Sequence, residues 1–140
     1  MAVCPHDCLE LASGFGSRRH TPRINVDAKP CYLCMKCPPV CPTGALDPTV
    51  VEMTQVRMGR AYILTDLCYN YTDGTICMTC YDRCPLRGHA IVLEGGLVPI
   101  VTDECVGCGV CANICPKKAV EIVPTGCGYI PPTAAKTWKN

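Results

Sequence analysis

The chain has 140 residues, a formal net charge of +1 and 15 cysteines, a cysteine share well above that of ordinary globular domains. With the cysteines set aside, the apolar fraction falls from 49% to roughly 39%, thin for a domain held together by apolar burial alone. Near-neutral charge excludes the strongly basic footprint of a nucleic-acid binder, and no run approaches the ~18 apolar residues of a membrane span.

In chain order, Cys4-Pro5-His6-Asp7-Cys8 leads into Leu9-Glu10-Leu11, a short apolar strand, and residues 12–30 are a linker that ends in a strand over Arg23–Asp27. Cys31, Cys34, Cys37, Cys41 and Pro42 then read C-x2-C-x2-C-x3-C-P, followed by the apolar run Gly44-Ala45-Leu46. Residues 47–60 form a second linker with one short helix, and Ala61–Asp66 is a strand rich in residues that favour the pleated sheet. Cys68, Cys77, Cys80, Cys84 and Pro85 repeat the motif with its first gap widened to C-x8-C. Ala90–Leu93 and Val98–Asp103 read as strands joined by a Gly95-Gly96 hairpin turn. Cys105, Cys108, Cys111, Cys115 and Pro116 restore the unmodified spacing, and Ala119–Val123 is a last strand. The remainder is rich in Pro and Gly and extended, with Trp138 packing locally.

Three chemistries compete for so many cysteines. A disulfide scaffold is at odds with an odd count and with cysteines two residues apart. Zinc uses two separated pairs, whereas triads closed by a Cys-Pro resemble the bacterial ferredoxin signature, in which three thiolates hold one iron–sulfur cube and the fourth serves another. Proline after the fourth cysteine ends the local helix. His6, His20 and His89 have no ligand spacing to one another, and no Gly-x-Gly-x-x-Gly or phosphate loop is present. Arg18-Arg19 is not followed by the apolar stretch of an export signal.

The expected fold is therefore α+β and ferredoxin-like, with duplicated 4Fe-4S cluster modules of short strands and cluster-binding loops. Residues 1–124 form a polyferredoxin domain, with the tail of a first motif at 4–11 and full motifs at 31–42, 68–85 and 105–116; residues 125–140 are a tail. Since Cys-Pro occurs at 4, 41, 84 and 115, Met1 is expected to be an internal residue of a longer protein. Such a chain passes single electrons between partners and has no substrate site or catalytic residue of its own. Val40, Ile76, Val106 and Ile114, next to the cysteines, are expected to exclude water from the clusters. The alternative outside redox chemistry is a zinc-binding interaction module.

The widened C-x8-C gap, Cys84-Pro85-Leu86 and Met58-Gly59-Arg60-Ala61 resemble the ferredoxin-type proteins of the NapG/MauM family over Met1 to about Pro124. That resemblance implies an exported, membrane-associated role between a quinol-oxidising membrane subunit and a terminal reductase such as periplasmic nitrate reductase. The alternative within the same chemistry is the electron-transfer subunit of a molybdenum enzyme or hydrogenase. It also implies a nested ligand exchange. Cys31, Cys34 and Cys37 would share a cluster with Cys84, Cys68, Cys77 and Cys80 with Cys41, and Cys105, Cys108 and Cys111 with Cys4. Three [4Fe-4S] clusters result, or four in a longer form. Cys115 is then left as the ligand of a cluster whose triad is missing, and Cys8 and Cys127 are free thiols.

Overall fold

The computed structural model describes residues 3–13, 21–129 and 131–132. The readings of Met1, Arg18, Arg19, His20 and Trp138 fall outside them. Six short strands pair into three two-stranded antiparallel sheets among the described residues. Strand β1 (Leu9–Leu11) pairs with β2 (Pro22–Ile24), β3 (Gly59–Ile63) with β6 (Val120–Pro124), and β4 (Ile91–Glu94) with β5 (Val98–Val101).

Each pairing has a local cause. In the first sheet Glu10 stands opposite Arg23, and their side chains meet at 2.9 Å. Pro22, which has no N–H for a ladder, sits at the end of its strand. The β4–β5 connection is Gly95, Gly96 and Leu97, with both glycines at positive φ (+59° and +77°), a conformation glycine adopts without strain. The β3–β6 ladder, Gly59 opposite Pro124 through Ile63 opposite Val120, brings the two ends of the 59–124 stretch together.

The cysteine loops hang from these sheets through one-turn helices. Helix α1 (Tyr69–Thr72) lies inside the widened gap after Cys68, and Asn70 closes that gap. Its amide oxygen accepts the Cys77 N–H at 3.1 Å while its nitrogen donates to the Leu97 carbonyl at 2.7 Å. Helix α2 (Thr79–Asp82) precedes Cys84, and α3 (Val110–Ile114) precedes Cys115. The core gathers Ala61, Ile63, Ile91, Val101 and Val120 around Cys111, and Leu33, Leu86, Val106 and Val110 around Cys108. Sulfur is thus part of the core itself.

Several expected elements differ. Gly44-Ala45-Leu46 is not a strand, because no strand among the described residues pairs with it. Strand β3 starts at Gly59 and stops at Ile63, since Leu67 and Cys68 turn back to donate to the Leu64 carbonyl. The helix expected in 47–60 is a single 3-10 turn, Met53–Gln55. Val106 is buried as expected, but Val40 and Ile76 are more than half exposed and shield nothing.

The Cys105–Cys108 loop presses directly on β3: the Met58 and Gly59 N–H groups both donate to the Val106 carbonyl, at 3.1 and 3.3 Å. A Cβ on Gly107 (φ +73°) would stand 2.4 Å from the Gly59 carbonyl carbon. Gly107→Ala is therefore expected to cost about 2–5 kcal/mol, the sum of a left-handed backbone and an overpacking penalty. Gly95→Ala, with open space around it, is expected to cost only about 1–2 kcal/mol. Thermal unfolding of the two variants side by side checks the difference, and equal costs would remove the close approach as its cause.

Candidate metal centres

Thirteen cysteines, all but Cys41 and Cys127, line three pockets. One pocket is lined by Cys84, Cys105, Cys108 and Cys111. The β4–β5 hairpin folds the third motif onto the fourth and so delivers Cys84 there. The Ala61 N–H on β3 points at the Cys105 sulfur, 3.4 Å away. A second pocket is lined by Cys68, Cys77, Cys80 and Cys115, the last brought back by the β3–β6 ladder that follows it. The Ala119 N–H donates to the Cys115 sulfur at 3.3 Å.

The remaining pocket is wider, about 360 Å³, and holds Cys31, Cys34 and Cys37 with Cys4 and Cys8. Leu33 donates its N–H to the Cys31 sulfur at 3.4 Å. The rings of His6 and Tyr32 stack 4.5 Å apart at its wall. The other two cavities are narrow, about 10 and 20 Å³, so taking up a cube there means parting the loops.

The electrostatics favour a metal partner. Burial, with Cys68 close by, pushes the Cys80 thiol up to about 12, and burial pushes Cys108 up to about 11. Cys111 is raised well above the ordinary thiol range by burial and then by Cys105 and Cys108. Thiolates packed together without a cation are unfavourable, whereas a coordinated metal removes the thiol proton outright. At least four thiols per pocket, with backbone N–H groups aimed at sulfur, supply the donor set of an iron–sulfur cube. Among the described residues no three His, Cys, Asp or Glu side chains converge on a single ion; a cube instead takes one thiolate on each of its irons.

The described positions group the cysteines differently from the nested arrangement expected from the motifs. Cys84 lines the pocket of Cys105, Cys108 and Cys111, not that of Cys31, Cys34 and Cys37. Cys4 lies with Cys31, Cys34 and Cys37, away from the Cys105 triad. Cys115, expected to be left over, joins Cys68, Cys77 and Cys80. Cys41, expected beside that triad, is in none of the three pockets. It lies near the surface, where the Leu46 N–H, the Thr43 hydroxyl and the Thr43 N–H hold its thiol down at about 7. Cys127 is exposed, and His89 faces Glu104 at 3.3 Å rather than any cysteine. The signal for this grouping was the Gly95-Gly96 turn: motifs joined by a short hairpin end up side by side.

Residues 60–116 match the family model described as a 4Fe-4S dicluster domain. The chain is 37% identical over 139 residues to the methylamine utilization ferredoxin-type protein MauM of Methylobacillus flagellatus, covering 89% of this chain and 59% of that protein. It is 36% identical over 139 residues to the ferredoxin-type protein NapG of Haemophilus influenzae, covering 87% of this chain and 50% of that one. With NapG of Escherichia coli the identity is 34%, over 87% of this chain and 60% of the relative. The chain thus spans about half to three-fifths of the length of these relatives. No solved structure matches it. The small mixed helix and strand architecture fits a ferredoxin-like iron–sulfur fold, and the match to a 4Fe-4S dicluster domain and to ferredoxin-type proteins supports the binding of [4Fe-4S] clusters.

Because the thiolate is the nucleophile, alkylation of Cys41 is expected to accelerate as pH rises through about 7, its lowered value. Iodoacetamide labelling read by peptide mass spectrometry checks this. Labelling of Cys41 that rises only near pH 9, as for an ordinary thiol, would contradict the hydrogen-bonded thiolate.

Proposed function

We propose that this chain, a member of the NapG/MauM group of ferredoxin-type proteins, carries three [4Fe-4S] clusters and relays single electrons between redox partner proteins. The ligand sets are Cys4, Cys31, Cys34 and Cys37; Cys68, Cys77, Cys80 and Cys115; and Cys84, Cys105, Cys108 and Cys111. Bound cubes would each supply one-electron chemistry at potentials that hydrogen bonding and burial adjust. The polypeptide contributes thiolates, N–H groups directed at sulfur, and a dry surround from Leu33, Ile91 and Val106.

The observation that carries this reading is the contiguity of the three pockets. The Cys31 N–H donates to the Cys108 carbonyl at 2.9 Å, which joins the first pocket to that of Cys84 and Cys105. Cys111 in turn lies close enough to Cys80 to feel its charge, which joins the latter pocket to that of Cys68 and Cys115. The order of relay is therefore not the order of the motifs: the pocket of the last motif sits in the middle.

Residues 1–124 form the polyferredoxin unit, in duplicated modules, and residues 125–140 a tail. The donor and acceptor are those of a respiratory reductase system such as periplasmic nitrate reductase, with a quinol-oxidising membrane subunit upstream. The chain acts as a carrier without a substrate site of its own. No helix among the described residues is long and apolar enough to cross a membrane.

Protein purified without oxygen is expected to contain about 12 iron and about 12 labile sulfide per chain, four of each for every cube. One to three zinc with no sulfide would instead leave a zinc-binding interaction module. Ligand sharing is tested by combining changes. Cys84→Ala and Cys105→Ala singly are each expected to lose up to about four iron, and the double variant no more than either. A double variant losing twice as much would return Cys84 to a different cluster.

A further inference from the structure

The pocket of Cys31, Cys34 and Cys37 holds five cysteines, one more than a cube has irons. The supernumerary thiol is Cys8. It is 5% exposed, and its sulfur lies 3.4 Å from that of Cys4. Cys4, followed by Pro5, has the place in its unit that Cys41, Cys84 and Cys115 have in theirs, whereas Cys8 is followed by Leu9 and opens β1.

Comparison of equivalent positions shows what Cys8 adds. The residue four places after Cys115 is Ala119, whose N–H donates to the Cys115 sulfur at 3.3 Å. Four places after Cys41 is Ala45, whose N–H likewise bonds that cysteine. Cys8 stands four places after Cys4 and bonds it through its backbone N–H as well. Only Cys8 brings a second polar group, the thiol, to the same sulfur. A ligating thiolate has no proton, so in the Cys4–Cys8 pair the S–H belongs to Cys8 and Cys4 accepts.

We propose that Cys8 is a positioning residue that donates a thiol hydrogen bond to the Cys4 sulfur and thereby raises the reduction potential of the cluster held there, without ligating iron. The proposal rests on the reading that Cys4, Cys31, Cys34 and Cys37 hold a cluster. Its physical basis is charge. Reduction adds an electron whose density spreads onto the ligand sulfurs, and a donor directed at one of them favours the reduced state. The S–H group is a weak donor, but its burial removes the water that would otherwise compete for the Cys4 sulfur.

The test compares wild-type holoprotein with Cys8→Ala and Cys8→Ser by iron and sulfide content and by redox titration followed with electron paramagnetic resonance. The expected result is unchanged iron in all three. One cluster of Cys8→Ala should titrate at a more negative potential, and Cys8→Ser, which keeps a donor, should lie closer to the wild type. An unchanged potential in Cys8→Ala overturns the inference. Loss of a cluster in Cys8→Ala with iron retained in Cys4→Ala also overturns it, by making Cys8 the ligand. A wild type without labile sulfide would mean that the cluster reading itself has failed, a different and recognisable outcome. Where neither variant folds, infrared spectra of wild-type holoprotein with Cys41 and Cys127 alkylated decide. A low-frequency, hydrogen-bonded S–H stretch supports the proposal, and its absence overturns it.

Discussion

Burial of cysteine sulfur in a core with few alternatives is the constraint from which the rest of this structure follows. Cys108 and Cys111 occupy the positions that branched aliphatic side chains would fill in an ordinary domain of this size, packed against Val106, Val110, Ile91 and Val101. A neutral thiol in such a place behaves as a small hydrophobe. A thiolate there is costly until a cation compensates it, and a ligand set assembled only on folding makes metal binding and folding one free energy. Burial raises the thiols of Cys80, Cys108 and Cys111, the direction such coupling requires. Among the described residues the strands are correspondingly short, none longer than five residues, because their task is to bring loops together and not to build a large sheet.

Two pairings do that work for the region from 59 to 124. The β4–β5 hairpin sets neighbouring motifs side by side, and the β3–β6 ladder closes the ends of the stretch. Together they force Cys84 and Cys115 to cross over, each leaving its own triad for the other's pocket. The same hairpin logic holds near the start, where β1 and β2 lie between Cys4 and the Cys31 triad and bring them together. Under the proposed ligand sets, exchange of the fourth cysteine is a consequence of strand topology: a Cys-Pro ends one cluster loop and points away from it just as the chain turns into a strand.

Much of this was legible in the residues. The cysteine spacing named the chemistry, the Cys-Pro repeat marked the units, and Gly95-Gly96 marked the hairpin. What the spacing does not contain is which triad receives which fourth cysteine, since that depends on pairing between strands distant in sequence, such as Gly59 with Pro124. Gly44-Ala45-Leu46 misled for the same reason: like Ala119–Val123 it is a short apolar run just after a Cys-Pro, but a strand exists only where a partner's N–H and C=O groups meet it. Val40 and Ile76 misled because adjacency to a cysteine in sequence says little about which side of a loop faces water. Asn70 shows the opposite case. It stands inside the widened gap with no motif to flag it, yet its amide stitches Cys77 to the β4–β5 turn.

The placement of the three pockets also bears on where electrons could enter and leave under the proposed reading. The pocket of Cys84, Cys105, Cys108 and Cys111 is the innermost, walled by Leu33, Ala61, Ile91 and Val106, all buried. Exposed apolar side chains lie instead near the other two. Tyr32 and Leu46 line the first pocket and are 45% and 40% exposed; Leu67 and Ile76 lie next to Cys68 and Cys77 and are 44% and 60% exposed. Apolar surface near a cluster shortens the gap to a docked partner and is readily desolvated, whereas a cluster under a continuous core has no such route. The inner pocket then fits an obligatory step between two ends. A tuned potential matters most at an end, where the electron is exchanged with another protein, and the end lined by Cys4 is the one that carries the additional thiol of Cys8.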